Sequence, residues 1–253
     1  MNLVNIQYDG SWQGLLTLVF EVYEYKLEVL QIENSTFSSQ QTLFGHTHIV
    51  YTNTEKYERV MKGLVAKVGK AALTELYHVY LSEWIDLEKL ILRTIQHYLD
   101  VAAASSKNYA HDDILKVKQI NKSVSRERHR MKAFIRFKKM ENELYFASVA
   151  PDFNVLPLIQ KHFKDRYADQ EWLIYDLKRN YGLYYNTINV TQMQLENIPH
   201  NISKILDKDE ELYDDLWKRY FRSTNIEERK NTRLHTQYVP KRYWKYLNEK
   251  SPM

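Results

Sequence analysis

Ten lysines and arginines stand between Lys116 and Lys139 against one acid, Glu127. Cations gathered on one element point to a polyanionic partner. In helical spacing Arg126 and Arg130 share a face, four residues apart. With Lys122, Arg128, Lys132 and Arg136 they form a ladder of the kind that holds phosphates, and guanidinium forks hold them best. The alternative is a solvated helix face whose lysines lie over apolar surface. A second basic stretch, RKNTRLHTQYVPKRYWKYL, interleaves Arg229, Lys230, Arg233, Lys241, Arg242 and Lys245 with Tyr238, Tyr243, Trp244 and Tyr246. Cations beside aromatic rings suit unpaired bases, with Tyr243 and Trp244 as stacking candidates. The alternative is a segment docked on the body by its rings, with its charges outward.

A third group is polar: Glu127, His129, Asp152, His162, Arg166, Asp176 and Arg179. Each falls near an expected element end. Brought together, they offer acid/base groups or metal ligands. Asp152 sits at a strand-to-helix turn, where a cap also wants a carboxylate. Asp176 follows Trp172 and Ile174 on one strand face and is expected to point inward. It then needs Arg166 or Arg179 as partner, and a structural ion pair is the commoner outcome. His162 flanks an apolar stripe and reads as a boundary residue.

These groups must be positioned by elements that the patterning outlines. Residues 3–8 alternate as a strand, Asp9-Gly10 turns the chain, and Asp9 or Ser11 caps the helix SWQGLLTLVFEVYEYK. HIVYT (48–52) reads as a short strand. A helix then opens at Thr52 or Thr54 and ends near Gly69. Apolar residues from Leu73 through Trp84 to Tyr98 recur at spacings of three and four, predicting one long helix over 71–99. Asp112 or Asp113 starts a helix with Ile114, Val117, Ile120 and Val124 as its buried stripe. Continuing that line brings Arg128 and Met131 inward. Strands at 133–138 and 143–149, a helix capped by Asn154, and strands at 171–177 and 181–186 give a ββαββ core. A last helix is expected at 208–222. The fold class is α+β, a small antiparallel sheet surrounded by helices, in a single domain: helical layer 1–110, core 126–186, and helix plus tail 208–253.

Composition narrows the chemistry. At 253 residues with 44% apolar content, the chain can bury a real core. The net charge of +4 is mild, so the local clusters carry the argument. There are no cysteines, which excludes disulfides, thiolate nucleophiles, thiolate zinc sites and iron–sulfur ligation in this chain. No glycine-rich phosphate loop, H-E-x-x-H or G-x-S-x-G is present. No signal peptide or membrane-length apolar run is evident, so a cytoplasmic protein is expected, without cofactor or metal.

Four blocks carry a resemblance: YDGSWQGLLTLVFEVYE (8–24), RERHRMKAFIRFKK (126–139), YFASVAPDFNVLPLIQKHFKDRYADQEWLIYDLKRNYGLYYN (145–186) and LWKRYFRSTNIEERKNTRLHTQYVPKRYWKYL (216–247). Together the chain resembles an uncharacterised bacterial DNA-metabolism and DNA-repair family that carries a domain of unknown function. Its members are encoded beside a radical SAM protein, and the domain also occurs fused to a uracil-DNA-glycosylase-like domain. The resemblance implies DNA and a radical SAM protein as partners, and it transfers no catalytic residue. Without cysteines the radical chemistry would belong to the partner, and base excision would come from elsewhere. Three functions stay open on the sequence: a DNA-binding accessory protein, a nucleotide- or nucleic-acid-processing enzyme, and a protein-interaction scaffold.

Overall fold

The structure, a computed structural model, describes residues 3–34, 46–100, 108–195, 216, 219 and 232–247. The chain forms two compact units, Met1–Val124 and Ser125–Met253. The helix expected over 208–222 lies outside the described residues apart from Leu216 and Arg219, both helical. Arg229 and Lys230 lie outside them altogether.

In the first unit β1 (Leu3–Tyr8) is the centre of a parallel three-stranded sheet, with β2 (Glu28–Asn34) and β3 (His46–Ile49) at its edges. Between β1 and β2 runs α1 (Trp12–Glu24). Ser11 is its N-cap, accepting from the Gly14 N–H at 2.8 Å, while Asp9 accepts from the Ser11 backbone and hydroxyl. β2 escapes the sequence pattern because its edge position leaves all of its residues half-buried or exposed, without clear alternation. The expected helix over 71–99 is two helices, α2 (Thr54–Leu81) and α3 (Leu87–Asp100). Trp84 sits in the turn between them and is exposed. Gly69, expected as a helix end, is a kink inside α2, with φ 84° and ψ 164°. Only glycine adopts that conformation without strain.

α4 (Asp112–Phe134) begins in the first unit and ends in the second. Its buried line is Ile114, Val117, Ile120, Val124, Glu127 and Met131. The step from Val124 is therefore three residues and not four. It carries Glu127 inward, and Arg128, expected on that line, is only half-buried. α4 also runs through Ala133 and Phe134, which were expected to open a strand.

The second unit holds a five-stranded sheet in the order β4-β5-β6-β7-β8: Lys138–Lys139, Tyr145–Val149, Trp172–Asp176, Tyr181–Tyr185 and Val190–Met193. The α+β class stands. Three of the four strand pairs are antiparallel as expected, and β5/β6 is parallel. The physical reason is α5 (Leu156–Arg166), which carries the chain back to the end where β5 began, as a crossover does. Asn154 does not cap α5. Its amide oxygen accepts from the Tyr181 hydroxyl, and Val155 holds the N-cap position with no side-chain bond. Phe163 of α5 packs edge-on against Trp172 at 6.3 Å and Phe137 at 5.7 Å.

Gly182 of β7 lets the Tyr175 ring lie on the sheet. A Cβ there would sit 2.8 Å from Tyr175 Cδ2 and 2.9 Å from the Ile174 carbonyl oxygen. Gly182→Ala is expected to cost about 1–3 kcal/mol through this overpacking. A urea midpoint equal to the parent's would contradict that packing.

Candidate functional site

β5 and β6 run parallel, so their carboxyl ends lie side by side, and the bond from the Leu177 N–H to the Val149 carbonyl, 2.8 Å, extends the pair by one step. Each end then releases a polar turn: Pro151-Asp152 after β5, and Asp176 with Lys178-Arg179 at the end of β6. In open parallel sheets this is the end at which ligand groups collect.

Asp176 is fully buried, and Arg179 Nη1 donates to its Oδ2 at 2.8 Å. Its Oδ1 accepts from the Lys178 and Arg179 backbone N–H groups at 2.9 and 3.3 Å. Of the two partners the sequence offered, Arg179 takes the pair. Arg179 also donates to the carbonyls of Pro151 and Asp152, both at 3.1 Å. Lys178 Nζ reaches the Asp152 carbonyl at 3.0 Å. The β6 turn thus holds the β5 turn by its backbone. Lys178 gave no signal in the sequence beyond its charge.

The other side of the Asp152 turn meets α4. Glu127 is 1% exposed, and its Oε1 accepts from the Asp152 backbone N–H at 3.0 Å and from the Tyr243 hydroxyl. Its Oε2 lies 3.2 Å from Arg242 Nη2 and 3.7 Å from Arg130 Nη1. Arg242 belongs to the 3-10 helix Lys241–Tyr246, which follows α6 (Thr232–Tyr238). The same Nη2 lies 2.7 Å from Asp152 Oδ2 and donates to the Tyr243 oxygen at 2.7 Å. Burial and then the bond to the Glu127 carboxylate push the Tyr243 phenol far above its ordinary value. Burial works against the Arg242 cation, but Tyr243, Asp152 and Glu127 outweigh it and raise its pKa.

The fold therefore gathers Glu127, Asp152, Asp176, Arg179, Arg130, Arg242 and Tyr243. It does not bring in the remaining polar candidates. His129 is exposed on α4. His162 lies edge-on to Phe163 at 5.1 Å, and burial, then the charges of Lys132 and Arg166, lower its pKa. Arg166 lies 5.6 Å over the Tyr167 ring. Among the described residues, no three His, Asp or Glu side chains gather as metal ligands. Glu127 is engaged at both oxygens, by the Asp152 N–H and the Tyr243 hydroxyl on one and Arg242 on the other.

The cationic candidates divide. Arg136 Nη1 donates to the Ala133 carbonyl at 2.6 Å and so closes the end of α4. Arg126 is exposed, Arg128 and Lys132 are half-buried, and Lys122 is exposed on the part of α4 in the first unit. Tyr243 is 1% exposed against Phe134, so its ring offers no face to a base. That corrects its reading as a stacking residue; burying the ring and satisfying its hydroxyl on Glu127 outweigh exposure. Trp244 is half-buried, its indole N–H donating to the Val239 carbonyl at 2.9 Å, and Lys241 lies 6.0 Å over its ring.

Among the described residues no helix is long and apolar enough to cross a membrane. No curated protein and no solved structure gives a match to this chain. One family model does, over residues 86–249, a span that takes in α3, α4 and every residue of the carboxylate–arginine cluster. By that match the chain belongs to the family defined by the domain of unknown function DUF4130.

Proposed function

We propose that the second unit binds a nucleic-acid backbone, as a DNA-metabolism or DNA-repair accessory protein working beside a radical SAM partner. The observation that carries this reading is the meeting of two basic segments far apart in sequence. Arg242 of the 3-10 helix and Arg130 of α4 share the Glu127 carboxylate, at 3.2 and 3.7 Å. Lys241 and Lys245 flank Arg242 on the same short helix, both exposed. Arg126, Arg128 and Lys132 flank Arg130 on the last turns of α4. Arg128 and Lys132 have no carboxylate partner among the described residues, which leaves their charges for an outside anion. Of the pair Tyr243/Trp244, the less buried ring is Trp244, which is half-buried. The radical SAM partner rests on the family resemblance.

Binding to a labelled single-stranded oligodeoxynucleotide should weaken steeply with salt, by about one unit of log–log slope per phosphate neutralised. Arg128→Gln and Lys132→Gln should each weaken binding and lower that slope by roughly one. A flat salt response rejects the reading. Co-purification with the radical SAM partner that survives nuclease treatment would locate the partnership in protein contacts and not in shared DNA.

A further inference from the structure

Arg242 Nη2 is oversubscribed. Three acceptors surround it: Asp152 Oδ2 at 2.7 Å, the Tyr243 oxygen at 2.7 Å and Glu127 Oε2 at 3.2 Å. The nitrogen carries two hydrogens. The three acceptors differ in exposure. Glu127 and Tyr243 are buried, whereas the side chains of Asp152 and Arg242 are 48% and 45% exposed. Both bidentate edges of a guanidinium, side-on through Nε and end-on through Nη1, include Nη2. An oxyanion that takes Arg242 by its fork must therefore claim a hydrogen that Nη2 now shares, and the exposed acceptor is the one that can leave.

We propose that Asp152 is a built-in competitor for the phosphate at Arg242. On binding, a backbone phosphate exchanges with the Asp152 carboxylate, while Glu127 and Tyr243 keep the guanidinium in place. The inference rests on the nucleic-acid reading above and assigns Asp152 a regulatory part in it. The exchange needs no refolding. The Asp152 turn is held by its backbone, with its N–H on Glu127 and its carbonyl on Lys178 and Arg179, so its carboxylate can swing away without releasing the turn. The competition also tunes selectivity. A weak monodentate anion gains too little to displace Asp152, and a phosphate that fills the fork gains enough.

The test is a double-mutant cycle with a fluorescein-labelled single-stranded oligodeoxynucleotide. Asp152→Asn keeps the backbone bonds and removes the competing charge. It should tighten binding by roughly three- to tenfold, the scale of one partly exposed charge-assisted contact. Glu143→Gln removes the same charge from an exposed carboxylate, paired with the half-buried Lys139 at 2.8 Å, and serves as the electrostatic control. It should tighten binding less than about twofold, on the scale of a screened surface charge. In an Arg242→Lys background the gain from Asp152→Asn should vanish, because an ammonium has no fork. Equal gains from the Asp152 and Glu143 variants would overturn the proposal. So would a gain that persists in the Arg242→Lys background, or an Asp152 variant no tighter than the parent. If the parent binds and the cycle shows no coupling, only the competitor role falls. If no variant binds DNA, the nucleic-acid reading falls with it.

Discussion

Asp176→Ala is expected to destabilise the second unit by about 3–5 kcal/mol, the range for breaking a buried ion pair by removing one partner. Asp176 is fully buried and Arg179 is 9% exposed in its side chain. Loss of the carboxylate removes the Asp176 charge from a nearly buried guanidinium and strands two backbone N–H groups that now donate to Asp176. The damage reaches further, because Arg179 grips the Pro151 and Asp152 carbonyls. A guanidinium that has lost its anchor no longer fixes the β5 turn. Asp176→Asn should fall between, since its amide oxygen still accepts from the backbone. Urea unfolding followed by circular dichroism checks this. A loss of less than about 1 kcal/mol from the alanine variant, the range of an ordinary surface change, would show that the pair is not a tie between the two turns.

The second large effect is at Glu127. Its replacement by alanine should cost about 2–4 kcal/mol, because it leaves the buried Tyr243 hydroxyl and the Asp152 N–H without their acceptor. Glu127→Gln keeps the shape and one acceptor oxygen and should cost less. Tyr243→Phe should cost about 1.5–3 kcal/mol, the loss of one buried hydrogen bond to a charged acceptor. Arg242→Ala should cost least of the alanine changes, because its guanidinium is 45% exposed and solvent screens its pairs. The order Glu127, then Tyr243, then Arg242 is the diagnostic. An Arg242 variant more damaging than Glu127→Ala would mean that the cation and not the buried carboxylate organises the cluster.

Much of this was legible in the residues, and the limits have physical causes. The inward Asp176 was expected from strand alternation, with Arg166 and Arg179 both open as its partner until the structure paired it with Arg179. The ββαββ order followed from turn signals and apolar runs. What alternation cannot give is strand direction. The parallel β5/β6 pair depends on α5 crossing back, and that relation is what sets the Asp152 and Asp176 turns side by side. Helical periodicity gave the buried line of α4 as far as Val124 and then pointed by a four-residue step to Arg128, whereas the structure takes the three-residue step to Glu127. Local spacing could not choose between them. The choice was made by Tyr243 and Arg242, which lie 116 and 115 residues away. For the same reason Tyr243 read as a stacking ring, since nothing near it in sequence announces a buried carboxylate. The break at 82–86 was hidden because Trp84 continues the apolar spacing while standing exposed in the turn.

The distance between Glu127 and Tyr243 has a kinetic corollary. Loop closure penalises a contact spanning so much chain, so this bond is expected to form after the sheet and α5 have assembled their local pairs. Contacts made after the folding barrier slow unfolding and leave the refolding rate nearly untouched. In stopped-flow experiments Tyr243→Phe should speed the escape from the native state and leave the refolding limb where it was, so the polar cluster acts as a bolt thrown last.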